Sequence, residues 1–393
     1  MAITEPVAPT AREGLERLLR VLAQKNGSDL YLSASAQPVV RIHGLCVPAS
    51  SKPVGASDPL HMLSILIGEE RAQALKAPEE LECVAALPEL GRFRVNAFFQ
   101  RGALALALRY LPLTTPTFDS HPLAPALRAL ALAKSGLLLL AGNPGAGKTS
   151  TVACLLDHRN SQTSGHIVTL EQPIEYPMVS KKSVLNQREI GVDTASWQSA
   201  FEGVSKQGCD VVWMGAIRDT LSARSALQLA QSGVLCVATI DAPTMGHALA
   251  QMIHYFPSSD RAYAKSQLGD YLRALVLQKL RRTQQGPRVA VCEILTGAQT
   301  ISEVLARGEF RDLDHADLSK FPACISFTQD IARLQAQGLV FDNEETEAAV
   351  NLGNTVAPSW GASRFGEAME SGFSFTQTAP STAHQPITLT LKS

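Results

Sequence analysis

Eight consecutive residues carry the clearest chemistry in the sequence: Gly142, Asn143, Pro144, Gly145, Ala146, Gly147, Lys148 and Thr149. They satisfy GxxxxGK[ST], and they stand where that pattern has a physical meaning, after an apolar strand-like run and at the opening of a helix. The glycines let the backbone wind until its N–H groups converge, forming an anion nest at the positive end of the helix. Lys148 is expected to hold the β and γ phosphates of a nucleotide. Thr149 offers the hydroxyl that Mg²⁺ borrows while keeping most of its waters, and Ser150 extends the set into the first helical turn. ATP and Mg²⁺ are the cofactors this pattern implies.

The elements that must position this loop can be read from periodicity. Leu137 to Ala141 reads as the strand before it, and a helix runs on from Gly147. Strand (166–170), helix (195–206), strand (211–214), helix (221–231) and strand (234–240) follow in alternation, the order that builds a parallel sheet covered by helices on both faces. A long helix is expected over 260–282, with Leu268, Leu272 and Leu275 on one side and Lys279, Arg281 and Arg282 complementing the dipole at its end. Upstream, Leu15, Leu18, Leu19 and Leu22 mark one face of a lead-in helix. The runs DLYLSA, PVVRIHG, LECVAAL, RFRVNAFF and ALALALRY read as strands, with a helical pattern near 60–75 between them. That is an α+β unit over residues 1–110. LPLTTPTFDSHP, at 111–122, holds three prolines among polar residues and reads as a linker. The nucleotide domain then covers 123–350. From 351 to 393 aliphatic residues thin out, and a disordered tail is expected.

Composition narrows the function classes. The chain has 393 residues, 45% hydrophobic and 18% charged, with a formal net charge of −1. Length suits two buried cores, and the balance of charge demands neither nucleic acid nor a membrane surface. No basic segment followed by an apolar core opens the chain, and no apolar run reaches the length of a spanning helix. A cytoplasmic protein is expected. The seven cysteines are scattered without a CxxC pair, so no metal-ligand spacing exists; they read as small buried hydrophobes.

With the P-loop placed, further segments become recognisable, and the sequence resembles the type IV pilus retraction ATPases, the PilT/PilU family, on its PilU side. The resemblance spans about residues 10–345. It rests on SDLYLSA, GRFRVNAFFQR, SGHIVTLEQPIEY, NQREIGVDT, DVVWMGAIRD and IHYFP, together with the RGEF segment at 307–310. It implies a PAS-like N-terminal domain, a RecA-like ATPase domain with a mostly parallel sheet, and a hexameric ring. The ring would contain copies of this chain or an active PilT-type ATPase. It would meet an inner-membrane pilus platform protein, and the membrane only through that partner. The resemblance also implies that arginines of the first domain approach the nucleotide, and Arg94, Arg101 and Arg109 match that pattern. On residue type alone, each reads first as a strand-face arginine in water. The absence of paired CxxC motifs favours the retraction side over the assembly side.

The sequence departs from the family at the chemical step. The family's Walker B strand ends in Gly-Glu, whereas DVVWMGA ends with Ala216 in the glutamate's place. A methyl group neither accepts a proton nor orients a water, and loss of a general base costs about 10²- to 10⁴-fold in rate. The family's EDPIE is Glu171-Gln172-Pro173-Ile174-Glu175 here. Glu171 and Glu175 are therefore the candidate catalytic residues, with Glu171 at a strand end either substituting in part for the base or standing as a solvent-exposed carboxylate. Two family histidines are missing: the segments that should hold them read Gly233-Val234-Leu235 and Thr239-Ile240-Asp241, and Asp241 would repel phosphate. NQRE and Arg218-Asp219 keep the family pattern and are expected at ring contacts. The resulting expectation is an ATP-binding accessory subunit with weak or no hydrolysis. An active motor with a relocated glutamate, or a nucleotide-gated regulator, is the alternative.

Overall fold

The computed structural model describes residues 11–340 apart from 26, 43–44, 89, 112, 120–121, 284–287, 297–304, 306–309, 311–312, 314–317, 319–320 and 322–323. The expected tail and most of the RGEF segment lie outside the described residues.

Helix α1 (Ala11–Gln24) buries Leu15, Leu18, Leu19 and Leu22, the face its leucine spacing defines. It covers an antiparallel sheet of β1 (Gly27–Ser33), β2 (Val39–Ile42), β3 (Leu45–Pro48), β4 (Leu81–Leu87), β5 (Gly91–Gln100) and β6 (Ala103–Leu111). The strands lie in the order β3-β2-β1-β6-β5-β4. The expected helix near 60–75 is two helices, α2 (Asp58–Ile67) and α3 (Glu69–Ala74), because Gly68 adopts φ 90 between them and turns the chain. Strand β5 alternates inward Phe93, Val95 and Ala97 with outward Arg92, Arg94 and Asn96. One strand thereby supplies core on one face and arginines on the other.

After the short helix α4 (Ala126–Ala131) comes the second sheet: β7 (Gly136–Gly142), β8 (His166–Glu171), β9 (Val184–Glu189), β10 (Val211–Ala216), β11 (Leu235–Asp241), β12 (Leu272–Arg282) and β13 (Arg288–Thr296). Its order is β13-β12-β7-β11-β10-β8-β9. Every pairing is parallel except the edge pair β12–β13. The crossovers are α5 (Lys148–Gln162), α6 (Trp197–Val204), α7 (Thr220–Gln231), α8 (Met245–His254) and α9 (Arg261–Tyr271). They cover both faces, so β7 is buried at all seven positions.

The expected helix over 260–282 is corrected. Only α9 is helical, and Leu272–Arg282 is strand β12, paired with β7 on one side and β13 on the other. Leu268, Leu272 and Leu275 share a helical spacing only because they straddle the junction. Within the strand, Leu275 and Leu277 enter one core layer while Ala274 and Val276 enter the other. A run buried on both faces has no alternation to betray it, so periodicity alone does not separate it from a helix. Strands β9 and β13 were likewise not expected.

Candidate nucleotide-binding site

The glycine-rich loop joins β7 to α5. Gly147 takes φ 84 and caps the helix, and a Cβ there would stand 3.0 Å from Gln278 Nε2, so both backbone and space require glycine. Lys148 is the first residue of α5 and is buried. Its ammonium donates to Gly142 O (2.7 Å), Asn143 O (3.0 Å) and Asp241 Oδ1 (2.8 Å). The loop is pinned from β12 by Gln278, whose Nε2 donates to Ala146 O and whose Oε1 accepts from Thr151 Oγ1, both at 2.7 Å. Ser150 bonds the Tyr176 hydroxyl at 2.5 Å. Neither Gln278 nor Tyr176 was singled out in the sequence, and no motif in it could have found them.

The carboxyl ends of the parallel strands face this loop, the position where open α/β sheets bind ligands. One cavity there is lined by Pro144, Gly145, Lys148 and Thr149 of the loop and by Glu171, Glu175, Ala216, Arg218 and Asp241 of the strand ends. Gly142, Asn143 and Ala146 line the loop's other side, together with Lys279 and Leu280. Gly215, at φ 66, breaks the register between β10 and β11 and turns Ala216 into the cavity. Asp219 accepts from Ser222 N at 2.8 Å and caps α7, so this part of the Arg218-Asp219 pair is a helix cap.

Glu171 is buried, not a solvent-exposed carboxylate: it is 3% exposed. Oε1 accepts from Thr169 Oγ1 (2.6 Å) and Gln187 Nε2 (3.0 Å). Oε2 is buried with no hydrogen-bond partner among the described residues, as is Trp213 Nε1 in the same cavity lining. Burial pushes the Glu171 carboxyl up to about 7, against the two hydrogen bonds that favour its charged form. The NQRE segment is strand β9. Gln187 bonds Glu171, Tyr176 O and Met178 N, and Glu189 Oε2 accepts from Ile174 N, so both turn inward and fix the EQPIEY loop.

Two of the three expected arginines come to the cavity. Arg94 pairs with Glu82 and lies 3.7 Å from Glu175; Arg109 holds the buried Asp29 at 2.8 Å. Arg101 does not line it: it is exposed in the two-residue turn between β5 and β6. Arg92, unforeseen, donates to Ile174 O (2.8 Å) and Glu175 O (3.2 Å) and ties the first sheet to the acidic loop.

Mg²⁺ fits this site as a companion of the nucleotide. Thr149 lines the cavity, and the orphaned Glu171 Oε2 is an acceptor that a metal-bound water would satisfy. Beyond the first turn of α5 a second cavity, of about 560 Å³, has Leu123, Leu280 and Leu339 among its walls and Ser150, Thr283 and Arg288 as polar groups. Its lining is drawn from segments far apart in the chain, so no local pattern marks it.

A P-loop at the carboxyl edge of a helix-covered sheet defines a P-loop nucleotide-binding fold. The type II/IV secretion system protein family matches residues 105–313, over half of the chain, and the chain belongs to this family, among its PilT/PilU-type members. The type IV pilus ATPase PilU of Pseudomonas aeruginosa is 32% identical over 299 residues, covering 76% of this chain and 78% of its own. The pilus retraction ATPase PilT of the same organism is 28% identical, covering 74% and 85%. A crystal structure of the pilus retraction motor PilT with bound ADP has a TM-score of 0.72 at 29% identity, over 85% of this chain and 96% of that one. No helix among the described residues is long and apolar enough to cross a membrane.

Proposed function

We propose that the chain is an ATP-binding subunit of a type IV pilus retraction motor, an accessory one with weak or no hydrolysis. The observation that carries this reading is Ala216, a methyl group lining the cavity beside Lys148 and Thr149 where a base would be required. The complete P-loop supports binding: Lys148 donates to phosphate, the backbone N–H groups cradle it, and Thr149 ligates the accompanying Mg²⁺. The apolar walls of the larger cavity suit an adenine ring, with the first turn of α5 between base and phosphates. Bound ATP–Mg²⁺ supplies the phosphoanhydride and its charge neutralisation; the chain supplies position. Arg94 and Arg109 add positive charge from the first sheet.

In this reading residues 1–110 form a PAS-like domain, 111–122 a linker and 123–350 a RecA-like domain, and the protein is cytoplasmic. It joins a ring of six with itself or with an active PilT-type ATPase, and it reaches the membrane through the inner-membrane pilus platform protein. Calorimetry with MgATP on the wild type and Lys148→Ala, with phosphate release measured alongside, tests it. The wild type binds, the variant binds far more weakly, and turnover stays well below the enzyme median of about 10 s⁻¹. Equal affinities refute binding through the loop, and turnover near that median refutes the accessory role.

A second reading has its own observation. Glu171 Oε2 is a buried, unpartnered oxygen among the residues lining the same cavity, which suits a relocated base in an active motor. Turnover abolished by Glu171→Gln would favour it.

A further inference from the structure

The Lys148 ammonium has three protons, and each is engaged: two by loop carbonyls and the third by Asp241 Oδ1 at 2.8 Å. Asp241 is the last residue of β11, directly beside Gly142 of β7 in the parallel register. Strand pairing therefore fixes where its carboxylate stands, against the loop's lysine. Asp241 also lines the cavity that Thr149 and Glu171 line. Its side chain is 52% exposed while that of Lys148 is 10% exposed, so the lysine is committed to the loop and the aspartate can swing away.

We propose that Asp241 is a specificity-determining lock that occupies the terminal-phosphate position on Lys148 and biases the site toward nucleoside diphosphate over triphosphate. The inference rests on the reading of this loop as a nucleotide site. A diphosphate is held by the backbone N–H groups at the start of α5, its β-phosphate replaces a loop carbonyl on Lys148, and the Lys148–Asp241 pair stays in place. A third phosphate must take the proton that Asp241 holds, and it then stands beside a displaced carboxylate of like charge. The carboxylate is half-exposed, so solvent and salt screen the repulsion, and the penalty on the triphosphate is about tenfold rather than prohibitive.

The test is titration of full-length wild type, Asp241→Asn and Asp241→Ala with MgATP and with MgADP, by calorimetry at two magnesium concentrations. Asparagine keeps the shape and removes the charge, and circular dichroism checks that each variant is folded. The expected result is MgATP affinity raised about tenfold in both variants, MgADP affinity changed less than about threefold, and no dependence of the gain on magnesium. Equal MgATP affinity in wild type and variants overturns the lock while leaving the nucleotide reading intact. Weaker MgATP binding, restored by excess magnesium, overturns it in favour of metal ligation by Asp241. Failure of all three proteins to bind either nucleotide overturns the lock and the nucleotide reading together.

Discussion

Replacing Glu171 by glutamine removes a charge from the most consequential buried group in the site and keeps its volume. The folded carboxyl titrates near 7, whereas the ordinary glutamate value is 4.5. Between those values the native protein retains a proton that the unfolded chain has released. Stability of the wild type therefore falls as pH rises from about 4.5 to 7, and the loss is complete above that window. The span is worth at most about 3 kcal/mol. Glutamine does not titrate; its carbonyl still accepts from Thr169 and Gln187, and its amide stands in the place of Oε2, as the protonated carboxyl's hydroxyl does. The variant should match the wild type near pH 4.5 and exceed it by about 1–3 kcal/mol at pH 8. Urea unfolding of both proteins at several pH values measures this, and other titrating groups cancel in the difference. A difference constant from pH 5 to pH 8 would refute the reasoning, because it would mean the carboxylate is ionised at no cost in the folded site.

Gln278→Leu leaves Ala146 O and Thr151 Oγ1 without their partners inside the protein; a loss of about 2–4 kcal/mol in denaturant unfolding, with weaker MgATP binding, is expected. Gln187→Leu withdraws a hydrogen bond that lowers the Glu171 pKa, so the pH window for Glu171 should move further upward, read from the same wild-type-minus-variant unfolding difference. Should phosphate release be measurable, its rate should climb with pH through about 7 if Glu171 is the base, and a flat profile would exclude that role.

The motif fixed the loop and its two flanking elements because GxxxxGKT works through local backbone winding, and everything it needs lies within ten residues. Single-faced elements were equally legible: α1 from its four leucines, β5 from its alternation. Ala216 could be read as a missing base from one position in DVVWMGA. Segments without a single buried face were not legible. β12 is buried on both sides and read as helix, and its Gln278, the anchor of the P-loop, is 127 residues from its partner Thr151. Glu171 could be named from sequence, but not its burial, its orphaned oxygen or the raised carboxyl, since these come from packing among β8, β9 and β10. The same holds for Asp241. Its type was visible and suggested repulsion of phosphate, but only the parallel pairing of β11 with β7 sets its carboxylate on Lys148, 93 residues away in the chain. Local spacing encodes what a residue can do; strand register, a property of the whole sheet, decides what it does it to.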